Sequence, residues 1–203
     1  MYIELKNNIM ETIHTKKIIE IYTEANPNPG SLKFVADVML LSEGSVDFAD
    51  ISTTTNCPMA RDLFKFNFVK RVFITANFIT ITKADDAEWF EISPIIKAFI
   101  KSYLESGEPL FLEAIKIDSV TIDENEPEIV GKIKLILEEY VKPAVESDGG
   151  AIYFDSYDNG VVKVSLQGSC SGCPSSTVTL KAGIENLLKR MIPEVTEVIA
   201  VEA

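Results

Sequence analysis

Histidine is nearly missing from this chain: His14 is the only one in 203 residues. A Ser/His hydrolase or a histidine-rich metal centre therefore has little to be built from, and His14, in a polar N-terminal segment, reads as a surface residue. Cysteine is scarce as well. Three cysteines, an odd number, cannot supply a disulfide framework, which points to a reducing, cytoplasmic setting. Basic stretches are absent: residues 1–106 carry 14 acids and 11 bases, residues 107–125 carry 5 and 1, and residues 126–203 carry 12 and 7. A phosphate backbone would find no surface to settle on, so no nucleic-acid partner is expected. No apolar run approaches the ~18 residues of a membrane span, so no membrane partner is expected. The first twenty residues contain no arginine and no continuous apolar stretch, unlike a secretory signal or a transit peptide. Acidic residues are scattered, and no pair stands out as a general acid and base. Asp148-Gly149-Gly150 lacks the Lys-Ser/Thr of a phosphate loop and reads as a turn.

What the chain does have is a pair of thiols. Cys170-Ser171-Gly172-Cys173 sits in the run LQGSCSGCPSSTVTLKAGIENLL. Pro174 suits the first position of a helix, Ser175, Ser176 and Thr177 fill its first turn, and Val178, Leu180, Ile184, Leu187 and Leu188 recur at helical spacing. The pair thus lies near the positive end of a helix, which favours thiolate, the form that binds metal. Gly168, Ser169, Ser171 and Gly172 argue for an exposed loop. Two thiolates are half of the about four that most thiolate-bound metal sites need.

Several readings of the pair stay open at this point. It is half of a metal or cluster site, a redox dithiol, half of a zinc knuckle, or two core cysteines close by chance. A dithiol oxidoreductase expects the pair after a strand of a βαβ unit, often beside aromatics. Here a hairpin precedes it, and no aromatic residue follows Tyr157. Zinc and iron–sulfur clusters both accept four thiolates, but the chain has no second CxxC and no nearby histidine. A two-fold dimer, each copy donating Cys170 and Cys173, reaches four ligands most simply. Cys57, in Thr53-Thr54-Thr55-Asn56-Cys57-Pro58, reads as a small, half-buried residue before a helix and not as a ligand.

The pattern predicts an α+β chain of two small α/β domains: residues 18–106, an acidic linker over 107–125, and residues 126–203. In the first, Ile18–Glu24, Leu32–Leu41, Val69–Ile74 and Phe78–Thr82 read as strands, Ala76-Asn77 as a tight hairpin turn, and Ala60–Phe66 as short helix. Glu88–Glu105 has helical spacing, with Pro94 as the start of its stable part. Phe111, Leu112, Ile115 and Ile117 in the linker suggest that part of it docks on a domain. The second domain reads as a helix-strand-strand-helix-strand sandwich carrying the CxxC loop. Its elements are a helix over Ile129–Val141 ended by Pro143, strands Ala151–Tyr157 and Val161–Leu166 joined by Asp158-Asn159-Gly160, a helix to Met191, and a strand over Val195–Val201. The linker implies two units that fold independently and move relative to one another.

VKPAVESDGGAIYFDSYDNGVVKVSLQGSCSGCPSSTVTLKAGIENLLKRMIPEV resembles the C-terminal domain of NifU-like (Nfu-type) iron–sulfur cluster scaffold proteins, through its DGG turn, G-S-C-x-x-C-P-S-S run and T-L-x-x-G-I-E helix. TEANPNPGSLKFVADVMLL, ARDLF and VKRVFITANFITITK resemble the Nfu-type N-terminal domain. Two positions depart from the pattern: Lys142 where arginine is frequent, and Ala151 where an acidic residue is common. The resemblance implies a [4Fe–4S] cluster bridged between two subunits by Cys170 and Cys173. It also implies delivery of that cluster to apo iron–sulfur client proteins, upstream assembly machinery as donor, and a carrier with no substrate turnover. The first domain, without metal-ligand spacing, is expected to be a docking module for partners.

Overall fold

The computed structural model describes residues 18–115, 126–171 and 174–202, apart from the side chains of 174–177 and 202. It is an α+β chain built on two sheets. The first sheet holds β1 (Ile21–Ala25), β2 (Ser31–Ala36), β3 (Ser45–Phe48), β4 (Val69–Thr75) and β5 (Phe78–Lys83) in the order β1-β2-β5-β4-β3, all antiparallel. Val72 and Ile74 of β4 and Ile79 and Ile81 of β5 point toward Met59, Ala60 and Leu63 of α1 (Pro58–Leu63) and Ile92, Ile96 and Ile100 of α2 (Trp89–Ser106). Each fully buried aliphatic side chain stabilises this layer by roughly 1.5–3 kcal/mol.

Two expectations for this half are corrected. The second strand stops at Ala36, because the amides of Leu40 and Leu41 both donate to the carbonyl of Ala76 and cap the β4–β5 hairpin. The short strand β3 follows, unforeseen. Helix α2 starts at Trp89, five residues before Pro94. Trp89 Nε1 donates to the Pro29 carbonyl at 2.9 Å and Ile92 is buried, so tertiary anchors hold the turn that proline weakens. The connector beyond Gly107 docks in part, as its apolar residues suggested. Leu110 and Phe111 pack on the first core, Tyr103 Oη donates to the Pro109 carbonyl at 2.9 Å, and Asn56 takes the Glu113 amide at 2.7 Å. Ile117 lies outside the described residues.

The second sheet holds β6 (Gly150–Asp158), β7 (Val161–Gly168) and β8 (Glu197–Glu202), with β6–β7 antiparallel and β7–β8 parallel. Asn159 (φ 47°) and Gly160 (φ 88°) form the expected two-residue hairpin loop. Helix α5 (Pro174–Met191) connects β7 to β8 and buries Ile184 and Leu188. Helix α3 (Glu128–Ile136) runs into a π-helical turn (Leu137–Val141) and then α4 (Lys142–Ser147). Pro143 therefore does not end the helix. The π turn has already broken the i→i−4 ladder, and Pro143 occupies the first turn of α4, where an N–H has no intrahelical partner. Among the described residues no helix is long and apolar enough to cross a membrane.

The two sheets have separate cores and share a third buried cluster. Val35, Phe73 and Phe78, on the face of the first sheet turned away from α1 and α2, pack against Ala151 and Tyr153 of β6. Phe73 is 0% exposed. A strand reading Val72-Phe73-Ile74 needs cover on both faces, and β6–β7 provide the second cover. Ala151 lies in this cluster. The two halves thus pack on one another. We predict that Phe73→Ala costs about 3–5 kcal/mol, as a large-to-small core change does. Urea unfolding should then split into two transitions; one unshifted cooperative transition would contradict the shared cluster.

Candidate metal centre

The register of β6 on β7 pairs Gly150 with Gly168 and so sets the Asp148–Gly150 turn beside the start of the CxxC loop. Gly149 has φ 80°, the left-handed region that glycine enters without strain. Its carbonyl accepts from the Ser169 amide at 3.2 Å and from Thr80 Oγ1 at 2.7 Å. A Cβ on Gly150 would lie 2.9 Å from Cys170 Sγ, so the thiol rests where only a glycine leaves room. Ser169 Oγ donates to the Asp148 carbonyl and sits 3.8 Å from Cys170 Sγ. The Ser171 amide donates to the Gly168 carbonyl at 3.1 Å, which closes the turn.

This loop is not exposed, contrary to expectation: Cys170 is 6% exposed, and Ser169 and Ser171 are buried with it. The reason is the first domain, which lies against it. Asn28 Nδ2 donates to the Ser169 carbonyl at 2.9 Å. Asp47 Oδ2 accepts from the Gly168 amide at 3.0 Å, while Arg71 grips the same carboxylate through Nε and a terminal nitrogen at 2.8 and 2.9 Å. A Cβ on Gly168 (φ 66°) would stand 2.9 Å from the Phe73 ring. A cleft of about 380 Å³ opens beside Cys170, walled by Pro27 and Asn28 on one side and by Thr179 and Leu180 of α5 on the other.

Of the two predicted ligands, Cys170 is thus placed; Cys173 lies outside the described residues, as do Gly172 and His14. Helix α5 begins at Pro174, directly after the pair, as the spacing predicts. Val178 is not on its buried stripe: it is 68% exposed and, six residues before Ile184, is off that helix face. Ser171 Oγ is buried and has no hydrogen-bond partner among the described residues. A buried hydroxyl left unpaired costs roughly 1–3 kcal/mol. The thiol that lines the cleft is that of Cys170, and a thiolate there suits a thiolate–sulfide group. Among the described residues no three His, Cys, Asp or Glu side chains gather into a group able to hold a metal ion.

Cys57 is fully buried in the first core, not half-buried, and burial pushes its thiol up to about 11. It stays protonated and unreactive at neutral pH. Asn28, Asp47 and Thr80 were missed in the sequence because each sits more than sixty residues from the loop; the one available signal was the apolar run Val72-Phe73-Ile74, which demands cover on both faces.

Comparison with known proteins shows the family. Residues 21–107 match the family model described as scaffold protein Nfu/NifU N terminal, and residues 133–199 match the NifU-like domain. The chain belongs to the Nfu/NifU-like scaffold family. "NifU-like protein 5, mitochondrial" of Arabidopsis thaliana is 40% identical over 90% of this chain and 68% of its own length. "NFU1 iron-sulfur cluster scaffold homolog, mitochondrial" of Drosophila willistoni is 45% identical over 90% of this chain, and "NifU-like protein 4, mitochondrial" of Arabidopsis thaliana 40% over 89%. The chain spans 64% and 65% of the length of these last two. All three are named as mitochondrial, which overturns the cytoplasmic placement drawn from composition. Cysteine scarcity separates reducing from oxidising surroundings but not one reducing compartment from another.

The raised Cys57 thiol gives a pH test. Its folded value, about 11, lies above the ordinary 9.0, so the unfolded chain loses this proton first. The stability it contributes is complete below pH 9 and falls as pH rises toward 11. Cys57→Ala should flatten that part of the curve in denaturant titrations and leave the metal content of the protein unchanged. An equal slope in both proteins, or lost metal, would contradict this assignment.

Proposed function

We propose that this scaffold-family chain carries a [4Fe–4S] cluster between two copies of itself and hands it to apo iron–sulfur client proteins. Cys170 and Cys173 of each copy are the ligands, residues 126–203 are the cluster-binding domain, residues 107–125 the linker, and residues 18–106 the domain facing partners. The observation that carries the reading is the half-site itself. A buried Cys170 stands beside a cleft, four residues before the start of α5, next to a hydroxyl with no partner among the described residues and with one further thiol in the motif. Relatives named as iron–sulfur cluster scaffolds support it.

The half-site also accounts for delivery. A cargo held by two thiolates from each of two copies is released when the copies part, without breaking a complete cage within one chain. The chain therefore acts as a carrier, with donor machinery upstream and client proteins downstream. Loading ties dimerisation to occupancy, since only the dimer offers about four thiolates.

Anaerobic loading with iron and sulfide should give a brown protein, and Cys170→Ala or Cys173→Ala should each leave it colourless. A colourless wild type that instead forms a reversible disulfide and reduces protein substrates would favour the oxidoreductase reading, and bound zinc a structural dimer. The buried hydroxyl of Ser171 supplies a finer test. Hydrogen bonds to cluster sulfurs raise the reduction potential, so Ser171→Ala should lower the potential of the loaded protein in a redox titration. An unchanged potential would mean that this hydroxyl does not face the cargo.

A further inference from the structure

We propose that Asn28, in the first domain, is a positioning residue of the metal centre: it holds the peptide before Cys170 and thereby fixes where that thiol stands. The inference deepens the scaffold reading and gives the first domain a part in the site itself. Asn28 is only 7% exposed. Its Oδ1 accepts from the Gly30 amide at 2.9 Å and its Nδ2 donates to the Ser169 carbonyl at 2.9 Å, 141 residues away in sequence. The acceptor alone would serve the local turn, and aspartate or serine could provide it. The donor serves the other domain.

The turn that presents Asn28 is rigid. Pro27 and Pro29 flank it with fixed φ. Asn26 Oδ1 accepts from the Asn28 amide at 3.1 Å and from Ser31 Oγ at 3.0 Å, and Trp89 Nε1 pins the Pro29 carbonyl at 2.9 Å. On the opposite side Ser169 has every polar group engaged: its amide on Gly149, its hydroxyl on Asp148, its carbonyl on Asn28. The Ser169 carbonyl belongs to the peptide that joins it to Cys170, so loss of the Asn28 bond frees that peptide to rotate and carries the thiol with it. Asn28 also walls the cleft beside Cys170, so it stands at the place a metal group would occupy.

Asn28→Asp isolates the effect. It keeps the acceptor for Gly30 and sets an oxygen against the Ser169 carbonyl where a donor was. Ser45→Ala is the control, because Ser45 bonds Tyr153 and Gln167 across the same domain contact. In the metal-free full chain, Cys170 alkylation by iodoacetamide, mapped by mass spectrometry, should quicken about tenfold in Asn28→Asp, the effect of losing one buried hydrogen bond, and little in Ser45→Ala. The visible circular dichroism of the loaded Asn28→Asp protein should also change. Should Asn28→Asp fail to fold, Asn28→Ser keeps the turn acceptor but cannot span to Ser169, and gives the same reading. Unchanged alkylation in the Asn28 variants, or equal acceleration in Ser45→Ala, would overturn the proposal. The alkylation arm needs no cluster, so it decides this inference whether or not the chain takes iron.

Discussion

Phe73 lying against the bare backbone of Gly168 is the contact on which the rest depends. It exists because β4 is apolar on both faces, so the first sheet must be covered twice: by α1 and α2 on one side and by β6–β7 on the other. Once that cover is in place, Asn28, Asp47 and Thr80 come to rest on the two turns that frame Cys170. Glycines at 149, 150 and 168 are then obligatory, each where a side chain would strike a neighbour across the turn or the domain contact.

The proposed carrier role sets two opposed needs. Holding a cargo calls for thiols whose geometry is set before binding; release calls for a ligand set that no single chain completes. Backbone hydrogen bonds and close approach fix the loop, which answers the first need. A two-cysteine motif with no third ligand gathered among the described residues answers the second. Asp47 serves the loop without threatening it. Its carboxylate is neutralised by Arg71 through two short bonds, so the loop receives a fixed acceptor at the Gly168 amide and not an uncompensated buried charge.

Much of this was legible in the residues. Asn159-Gly160 specified its hairpin, the spacing of Ile184 and Leu188 specified α5, and Pro174 marked where that helix starts, because these are short-range effects of turn chemistry and amphipathic period. What failed was non-local. Pro94 stayed inside α2 because Trp89 is tied to Pro29, and Pro143 did not end its helix because a π turn came first. The polar composition around Cys170 suggested an exposed loop, yet Ser169 is buried because its hydrogen bonds are met by Asp148, Gly149 and Asn28. Composition reports which groups need partners; only the fold shows whether protein or water supplies them.

The central claim is that one chain builds half of the metal centre and a second copy completes it. Native mass spectrometry of the anaerobically loaded, full-length protein tests it most directly. The account predicts a dimer that carries one four-iron, four-sulfide mass increment and a metal-free monomer beside it. A monomer carrying the whole increment, or a dimer that persists unchanged after the iron is removed, would contradict it.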